Sequence, residues 1–238
     1  MTSDRIVRRG VVAVITATLL VAPLSACQVG NAVASALPAA EATTAVASPA
    51  ATTSAVSALE QLSHLAVKGS APMTGYSREQ FGPAWADEDH NGCDTRNDIL
   101  RRDLTDVTLK AGTHGCVVLT GVLSDPYTGH TIPFTRGSTT STAVEIDHVV
   151  ALADAWRTGA QAWSAARRQQ YANDPLELLA VDGPTNVAKG DGNAATWLPP
   201  NKAYRCTYAT RQVTIKVTYG LWVTRAEHDA LARILNAC

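Results

Sequence analysis

An Asp-His pair that closes an apolar segment, followed later by Asn-x-x-Lys, is the feature that most constrains this chain. The pair is Asp147 and His148, and the later motif supplies Asn186 and Lys189. Between the two motifs lies the apolar run 176–181, which predicts a strand. The sequence therefore predicts two strands and a short helix with polar groups gathered at their ends.

These four side chains suit the hydrolysis of a phosphodiester with the help of one divalent metal ion. Asp147 and Asn186 offer the oxygen ligands that hard cations prefer. A bound ion polarises the phosphate and stabilises the departing 3′ oxygen. His148, with an ordinary pKa near ~6.5, would act as the general base for water. Lys189 would offset the charge on the phosphorane.

The arrangement resembles the HNH (ββα-metal) nucleases, and most closely the HNH module of CRISPR effectors. In that family the first signature residue is the histidine of an Asp-His pair, here Asp147 and His148. A middle asparagine precedes the second strand, as Asn173 does, and the last opens the short helix, as Asn186 does. Many HNH proteins have proline two residues after the histidine, where Val150 stands here. Proline there shapes the loop and carries no reactive group.

A longer resemblance covers the chain from about residue 57 to residue 238, which is similar to a family of secreted actinobacterial HNH endonucleases. The matching stretches are Asn91 to Arg96, Asp125 to Gly129, Glu145 to Trp156, and Asn186 to Pro200. The resemblance implies an α+β fold, with a ββα-metal (HNH) core elaborated by additional helices and a small antiparallel sheet. It also implies a monomeric endonuclease acting on nucleic acid, with DNA expected and little sequence specificity. Mg²⁺ is the expected ion, and Mn²⁺, Ca²⁺ and Zn²⁺ remain open.

The resemblance also suggests roles for three further residues. Asn173 joins His148 and Lys189 as a catalytic candidate. Arg96 stands in a recurrent Cys-Asp-Thr-Arg stretch, beside the predicted hairpin, where it could hold a substrate phosphate with both guanidinium nitrogens. Glu145 lies two residues before Asp147 and therefore on the same face of the strand, where it could support the metal ligands or bind substrate.

The N-terminal residues 1–27 are predicted to be a signal peptide and not part of the fold. The apolar run 10–22 follows a basic stretch and is shorter than the ~20 residues that a membrane-spanning helix needs. Leu24-Ser25-Ala26-Cys27 resembles a lipobox, which predicts lipidation of Cys27 and a membrane lipoprotein that faces outward. Cleavage after Ala34-Ser35-Ala36, giving a freely secreted protein, is the alternative.

Residues 28–56 are mostly Ala, Thr, Ser, Val and Pro, with Glu41 as their one charge. They show no periodic apolar face, so a disordered tether is expected. Residues 57–238 remain as one domain, the predicted HNH endonuclease domain.

Four cysteines remain after Cys27, and an exported chain is expected to oxidise them. Four cysteines allow three pairings. Sequential pairing, Cys93 with Cys116 and Cys206 with Cys238, is the favoured interpretation. A zinc site is the alternative, but there is no Cys-x-x-Cys motif.

An acidic segment forms a second candidate site. Its oxygen-bearing residues have the spacing of the first half of an EF-hand calcium loop, with Gly92 at the sixth position. The candidate calcium ligands are Asp87, Asp89, Asn91 and Asp98. The alternative is an acidic turn that Cys93 holds in place.

The formal net charge of −1 is low for a protein that binds nucleic acid, because nonspecific binding depends mainly on Lys and Arg. A local basic stripe near the site is nevertheless compatible with this total. Its candidates are Arg96, Arg101, Arg102, Arg157, Arg167, Arg168, Lys189, Lys202, Arg205, Arg211 and Lys216. Solvated helix faces are the other interpretation of these residues.

Two other functions remain open. One is a lipid-anchored protein that binds calcium or nucleic acid through a degenerate nuclease fold. The other is an exported phosphodiesterase with another substrate. The coarse pattern predicts helices over 58–66, 95–104, 152–171, 186–193, 199–218 and 225–235, and strands over 116–123, 131–135, 143–146 and 176–181.

Overall fold

A computed structural model describes residues 49–238, with side chains from residue 54 onward. The predicted signal peptide, Cys27 and most of the predicted tether lie outside these residues. None of the helices between residues 49 and 238 is long and apolar enough to cross a membrane.

The described residues form an α+β structure with two small antiparallel sheets. Seven α-helices are present in this range, besides short 3-10 helices: α1 Pro49–His64, α2 Thr95–Asp103, α3 Leu152–Arg157, α4 Ala165–Ala172, α5 Gly183–Lys189, α6 Arg205–Tyr219 and α7 Arg225–Asn236. The strands β1 Leu104–Leu109, β2 Val118–Ser124 and β3 Thr131–Thr135 make the first sheet, in the order β1-β2-β3. The strands β4 Val144–His148 and β5 Leu178–Asp182 pair as the second.

The elements differ from the sequence prediction in several places, and α6, predicted from residue 199, begins at Arg205. Helix α1 begins at Pro49, inside the segment expected to be a tether. The helix predicted over 152–171 is divided into α3 and α4, because Gly159 adopts a φ of 138° that a helix cannot contain. Strand β1 was not predicted, and Leu104 is its one buried residue. Helix α5 begins at Gly183 and not at Asn186, because the Asp182 carboxylate accepts a hydrogen bond from the Thr185 amide and caps it.

The β4–β5 hairpin lies between two apolar clusters. On one side, Ile146 and Leu178 pack with α2 and the three-stranded sheet. On the other, Leu179 and Val181 join the larger cluster, which includes residues of α1, α3, α6 and α7. Burial on both sides explains why β5 is a continuous apolar run. It also holds the end of β4 rigidly, which matters because Asp147 and His148 lie there.

A buried charge cluster joins α3, α6 and α7. The Lys216 ammonium lies 2.8 Å from an Asp154 oxygen and 2.9 Å from a Glu227 oxygen. Burial alone would lower the pKa of Lys216, but the two carboxylates raise it above the ordinary value. Thr224 to Glu227 have the sequence of a capping box, Thr-x-x-Glu, at the start of α7. The Glu227 amide donates to the Thr224 hydroxyl, but the Glu227 carboxylate turns inward to Lys216 instead of back to the amide of Thr224.

Two disulfides close the chain on itself, with the sequential pairing that the sequence favours. Cys93–Cys116 joins the segment before α2 to the segment before β2. Cys206–Cys238 joins the first turn of α6 to the last residue of the chain.

Replacing Cys206 and Cys238 together by serine should lower the free energy of unfolding by about 2–4 kcal/mol. The bridge spans 32 residues, and in the chain-entropy account its loss frees the unfolded chain. Urea denaturation followed by circular dichroism measures this, with the wild-type protein as the reference. An unchanged midpoint, or four free thiols by mass spectrometry in protein secreted by its native host, would contradict the prediction.

Candidate active site

The β4–β5 hairpin and α5 bring the residues of both sequence motifs together. Asp147 pairs with Leu179 and His148 with Leu178 across the hairpin. Helix α5 follows β5 directly and packs against β4. Glu145, Asp147, His148 and Asn186 all line one cavity of about 210 Å³. The chain therefore places carboxylate, imidazole and amide groups around one small space.

Asp147 is buried in a network of charge-assisted hydrogen bonds. Its Oδ1 accepts from the Lys189 ammonium at 2.8 Å, and its Oδ2 accepts from the Tyr127 hydroxyl at 2.5 Å. Lys189 also donates to the His148 carbonyl at 2.7 Å, and its side chain is 0% exposed. Lys189 therefore points into the protein and fixes two neighbouring residues, instead of facing a substrate phosphate. No sequence pattern had marked Tyr127 as a partner of Asp147.

Asn186 and Glu145 form a pair that lines the same cavity. The Asn186 Nδ2 donates to the Glu145 Oε2 at 2.8 Å. This bond fixes the orientation of the amide, because only the nitrogen can donate. The Asn186 Oδ1 atom remains as an acceptor. Glu145 thus orients Asn186 from the same face of β4 as Asp147.

The His148 ring is nearly buried, and a backbone carbonyl at the end of α4 holds it. Its Nε2 lies 2.9 Å from the Ala172 carbonyl oxygen. Burial lowers the pKa of His148 to about 3, with further lowering by Arg78 and Lys189, although the Ala172 carbonyl opposes this. The ring is therefore neutral near pH 7. Because a carbonyl can only accept, Nε2 carries the proton and Nδ1 keeps a free lone pair.

The turn after His148 is fixed by Glu177. The Val149 amide donates to the Glu177 carbonyl at 3.0 Å, and the Val150 amide donates to the Glu177 carboxylate at 2.9 Å. A proline at position 150 could not make the second bond. Burial raises the pKa of Glu177 well above its usual range. In this chain two hydrogen bonds to Glu177 fix the shape of the turn. In proteins with proline at this position, the proline ring restricts the backbone instead.

Asn173 ends α4 beside the residue that holds His148. Its Nδ2 donates to the Gln169 carbonyl at 2.9 Å. Its Oδ1 is buried and has no hydrogen-bond partner within residues 49–238. The side chain lines a cavity that it shares with His148. Asn173 is therefore at the site, next to the base candidate and not among the oxygen ligands.

Arg96 lies at the other end of β4. It is half-buried, and its Nη2 donates to the Val144 carbonyl at 3.2 Å. Burial lowers its pKa, with help from Arg136, although Glu145 and Asp94 oppose this. The structure thus places Arg96 beside the hairpin, with part of its guanidinium committed to the backbone.

The acidic segment forms a tight turn that uses its own oxygens. Asp87 accepts from the amides of Asn91 and Gly92, at 3.1 and 2.9 Å. The Asn91 side chain accepts from the Cys93 amide at 2.7 Å. Across the described part of the chain, no group of three or more His, Cys, Asp and Glu side chains is arranged to hold a metal ion. The turn thus holds itself through its own side chains, and calcium binding by Asp87, Asp89, Asn91 and Asp98 stays a prediction.

Most of the basic residues considered for a stripe donate hydrogen bonds to backbone carbonyls. Arg102 and Arg211 both donate to the carbonyls of Pro175 and Leu178, at the start of β5. Arg167, Arg168 and Arg205 likewise donate to carbonyls of segments packed against them. These arginines hold neighbouring segments in place, and a basic stripe stays a prediction.

Arg78 is the cation at the site that the sequence analysis missed. It is exposed and makes no hydrogen bond or ion pair within the described range. It lines both the cavity of Asp147 and Asn186 and the neighbouring cavity of about 290 Å³. No motif marked it, because a single arginine in a short 3-10 helix, Arg78–Phe81, has no sequence signature.

Trp85 was also missed, and it covers His148. The two rings are nearly parallel, at 17°, with centroids 6.3 Å apart. The segment that carries Arg78 and Trp85 is anchored on α4. Arg168 donates to the Gln80 carbonyl at 2.7 Å, and Gln169 donates to the Glu88 carboxylate at 2.6 Å. The segment therefore forms a fixed second wall beside the histidine.

The sequence of the chain matches a known protein family and a known protein. The family described as the C-terminal domain of GmrSD restriction endonucleases matches residues 94–234. A protein from Arthroderma benhamiae named "Uncharacterized secreted protein" is 40% identical over 187 residues, or 78% of this chain and 86% of that protein. No solved structure matches the chain. The matched residues include β4, β5 and α5, and the chain belongs to the nuclease family of the GmrSD restriction endonuclease C-terminal domain.

Proposed function

We propose that the protein is an exported, metal-dependent HNH endonuclease that hydrolyses phosphodiester bonds in nucleic acid. The observation that carries this proposal is the cavity shared by Asp147, His148 and Asn186. Two antiparallel strands and a following helix build it, which is the order of elements in a ββα-metal core. Membership of a restriction endonuclease family supports the same substrate class.

The donor groups in the cavity fit a hard divalent cation such as Mg²⁺. Asp147 supplies a carboxylate, Asn186 supplies Oδ1, and Glu145 has a second carboxylate oxygen beyond the one bound to Asn186. Both oxygens of Asp147 already accept one hydrogen bond, but a carboxylate oxygen has a further lone pair. All these donors are oxygen atoms, as Mg²⁺, Mn²⁺ and Ca²⁺ prefer. A bound cation would supply positive charge at the phosphate and the leaving oxygen.

The protein's own groups then prepare the attacking water. His148 accepts the proton from water at Nδ1, while the Ala172 carbonyl holds Nε2–H and fixes the tautomer. Lys189 neutralises Asp147 and holds the His148 carbonyl, so it is a positioning residue. Asn173 supports the end of α4 from which Ala172 reaches His148. Arg96 binds the Val144 carbonyl, one residue before Glu145, and stays a candidate for holding a substrate phosphate.

Incubation with supercoiled plasmid tests the activity directly. The wild-type protein should nick and then linearise the plasmid with Mg²⁺, and a chelator should abolish both steps. Short DNA and RNA oligonucleotides run in parallel separate the two substrates. The absence of cleavage of DNA and RNA with Mg²⁺, Mn²⁺, Ca²⁺ or Zn²⁺ would refute the proposal.

Asn186→Ala should weaken binding of the activating ion and lower cleavage together, because it removes one of the oxygen donors. Calorimetry with the metal alone measures binding independently of activity. Val217→Ala is the matched control, since Val217 is an exposed residue of α6 that does not line the cavity. Unchanged metal affinity in a protein that lacks both the Asp147 and Asn186 side-chain oxygens would refute these ligands.

Three observations support export. The relative from Arthroderma benhamiae is named a secreted protein, the chain forms two disulfides, and the N-terminus resembles a signal peptide. We further propose that Cys27 is lipidated, since two buried acyl chains give a stable membrane anchor. Cys27→Ser should then stop lipoprotein processing. Recovery of the wild-type protein wholly in the medium, without lipid and beginning near Leu37, would show free secretion instead.

A further inference from the structure

A second cavity of about 290 Å³ adjoins the first and shares His148 with it. We call it the aromatic pocket and define it by Arg78, Phe81, Trp85, His148, Leu152 and Asn173. We propose that the aromatic pocket binds one unpaired nucleobase, that of a nucleotide next to the scissile phosphate. This inference rests on the proposed endonuclease function, and it adds how the enzyme recognises its substrate.

The position of the pocket restricts what can occupy it. His148 lines both cavities, so an occupant of the aromatic pocket lies beside the bond that His148 would help to break. Arg78 also lines both, and it has no acidic partner in the described range. An exposed cation between two cavities complements a phosphate that connects their occupants. Glu79 also lines the aromatic pocket, so it is the position of Arg78 between the two cavities that favours a nucleotide, with its phosphate at that point.

The walls of the pocket have the chemistry that binds a base. Phe81, Trp85 and Leu152 provide apolar and aromatic surface. Stacking on aromatic side chains is how proteins hold single-stranded bases without choosing among them. The volume lies at the lower end of the range for small-ligand sites, which suits one ring system and not a larger group.

An unused hydrogen-bond acceptor at the pocket points the same way. Asn173 is 2% exposed, and its Oδ1 atom is buried without a partner in the described part of the chain. Such groups are rare and call for an explanation, because an unmet hydrogen bond is costly. Each nucleobase carries an N–H donor on its pairing edge. A bound base would therefore satisfy Asn173 while its faces meet the aromatic walls.

The backbone of Trp85 adds to this argument. Its φ is 62°, in the left-handed region that bulky residues seldom adopt. The anchoring of this segment on α4 holds the ring beside His148 despite that conformation. Strain of this kind occurs at sites where a side chain must be presented to a ligand. A base in this pocket must leave its helical stack, so the enzyme should cut single-stranded or unpaired nucleotides faster than a continuous duplex.

Three short thymidine oligomers test the inference. Each has one cleavable phosphodiester between uncharged methylphosphonate linkages. One keeps both neighbouring bases, and the others lack the base on the 5′ or the 3′ side. Removing the base that occupies the pocket should lower kcat/KM by about tenfold or more. Removing the base on the other side of the scissile phosphate should lower kcat/KM less. Trp85→Leu should abolish that difference, and Trp85→Phe should keep it because the aromatic face remains.

The outcomes separate this inference from the proposed function. Equal cleavage of all three oligomers by the wild-type protein would overturn the base pocket and leave the nuclease proposal intact. An equal loss on all three oligomers in Trp85→Leu would also overturn it, since Trp85 would then act by positioning His148. If no oligomer is cut, calorimetry in the presence of a chelator measures the binding of each oligomer and decides whether the pocket holds a base. Binding that weakens about tenfold without the base, and in Trp85→Leu, supports the pocket, whereas equal binding overturns it.

Discussion

His148→Ala should lower the rate of plasmid cleavage by about 10²-fold or more, which is the usual contribution of a general base. The His148 Nδ1 has a free lone pair that can accept a proton from water, and the Ala172 carbonyl, which raises the pKa of the ring against the effect of burial, stabilises the imidazolium that forms. Alanine removes this group without removing an oxygen donor of the neighbouring cavity. Metal binding measured by calorimetry should therefore change little while turnover falls.

The matched control is His130→Ala, because His130 is exposed and lies outside the candidate site. It should cleave plasmid at the wild-type rate under the same conditions. Circular dichroism checks that both variants keep the fold. Near-normal nicking by His148→Ala in a folded protein would show that another group takes the proton.

Local signals in the sequence were enough to locate several elements. Thr224 caps α7 through the amide of Glu227, and Gly220 ends α6 with a φ of 66°. The strands β4 and β5 were recognisable because their apolar side chains fill two cores at once. These features depend on neighbours along the chain, or on burial that composition reveals.

Other features depend on contacts between distant segments, and sequence spacing cannot supply those. Trp85 reaches His148 because the segment that carries it is anchored on α4. Strand β1 has too few buried residues to leave an apolar pattern, and it exists because it pairs with β2. Glu177 was overlooked because its role is to hold amides of a turn far back in the sequence.

Lys189 shows where the motif itself was misleading. The spacing Asn-x-x-Lys places Asn186 and Lys189 about one turn apart on α5. Asn186 was expected to bind the metal ion and Lys189 to offset the charge of the phosphate. The rotation of α5 against β4 decides otherwise. Asn186 lines the cavity, whereas Lys189 points beneath it to Asp147 and the His148 carbonyl.

Lys189→Met should therefore lower the free energy of unfolding by about 3–5 kcal/mol, in addition to reducing cleavage. Methionine has a similar length but no charge, so it leaves the buried Asp147 carboxylate without its cation. Removing one partner of a buried ion pair is costly for this reason. Urea denaturation followed by circular dichroism measures the loss, and Lys202→Met is the matched control because Lys202 is exposed.

Adding Asp147→Asn to Lys189→Met should restore part of the lost stability but not the cleavage. The second change removes the unpaired charge, and the oxygen of the new side-chain amide can still accept from the Tyr127 hydroxyl. A double-mutant cycle then isolates the energy of the ion pair from other effects of each substitution. If Lys189→Met unfolds at the same urea concentration as the wild-type protein and loses cleavage alone, the ammonium acts on the substrate. Positioning of Asp147 and His148 would then be the wrong role for Lys189.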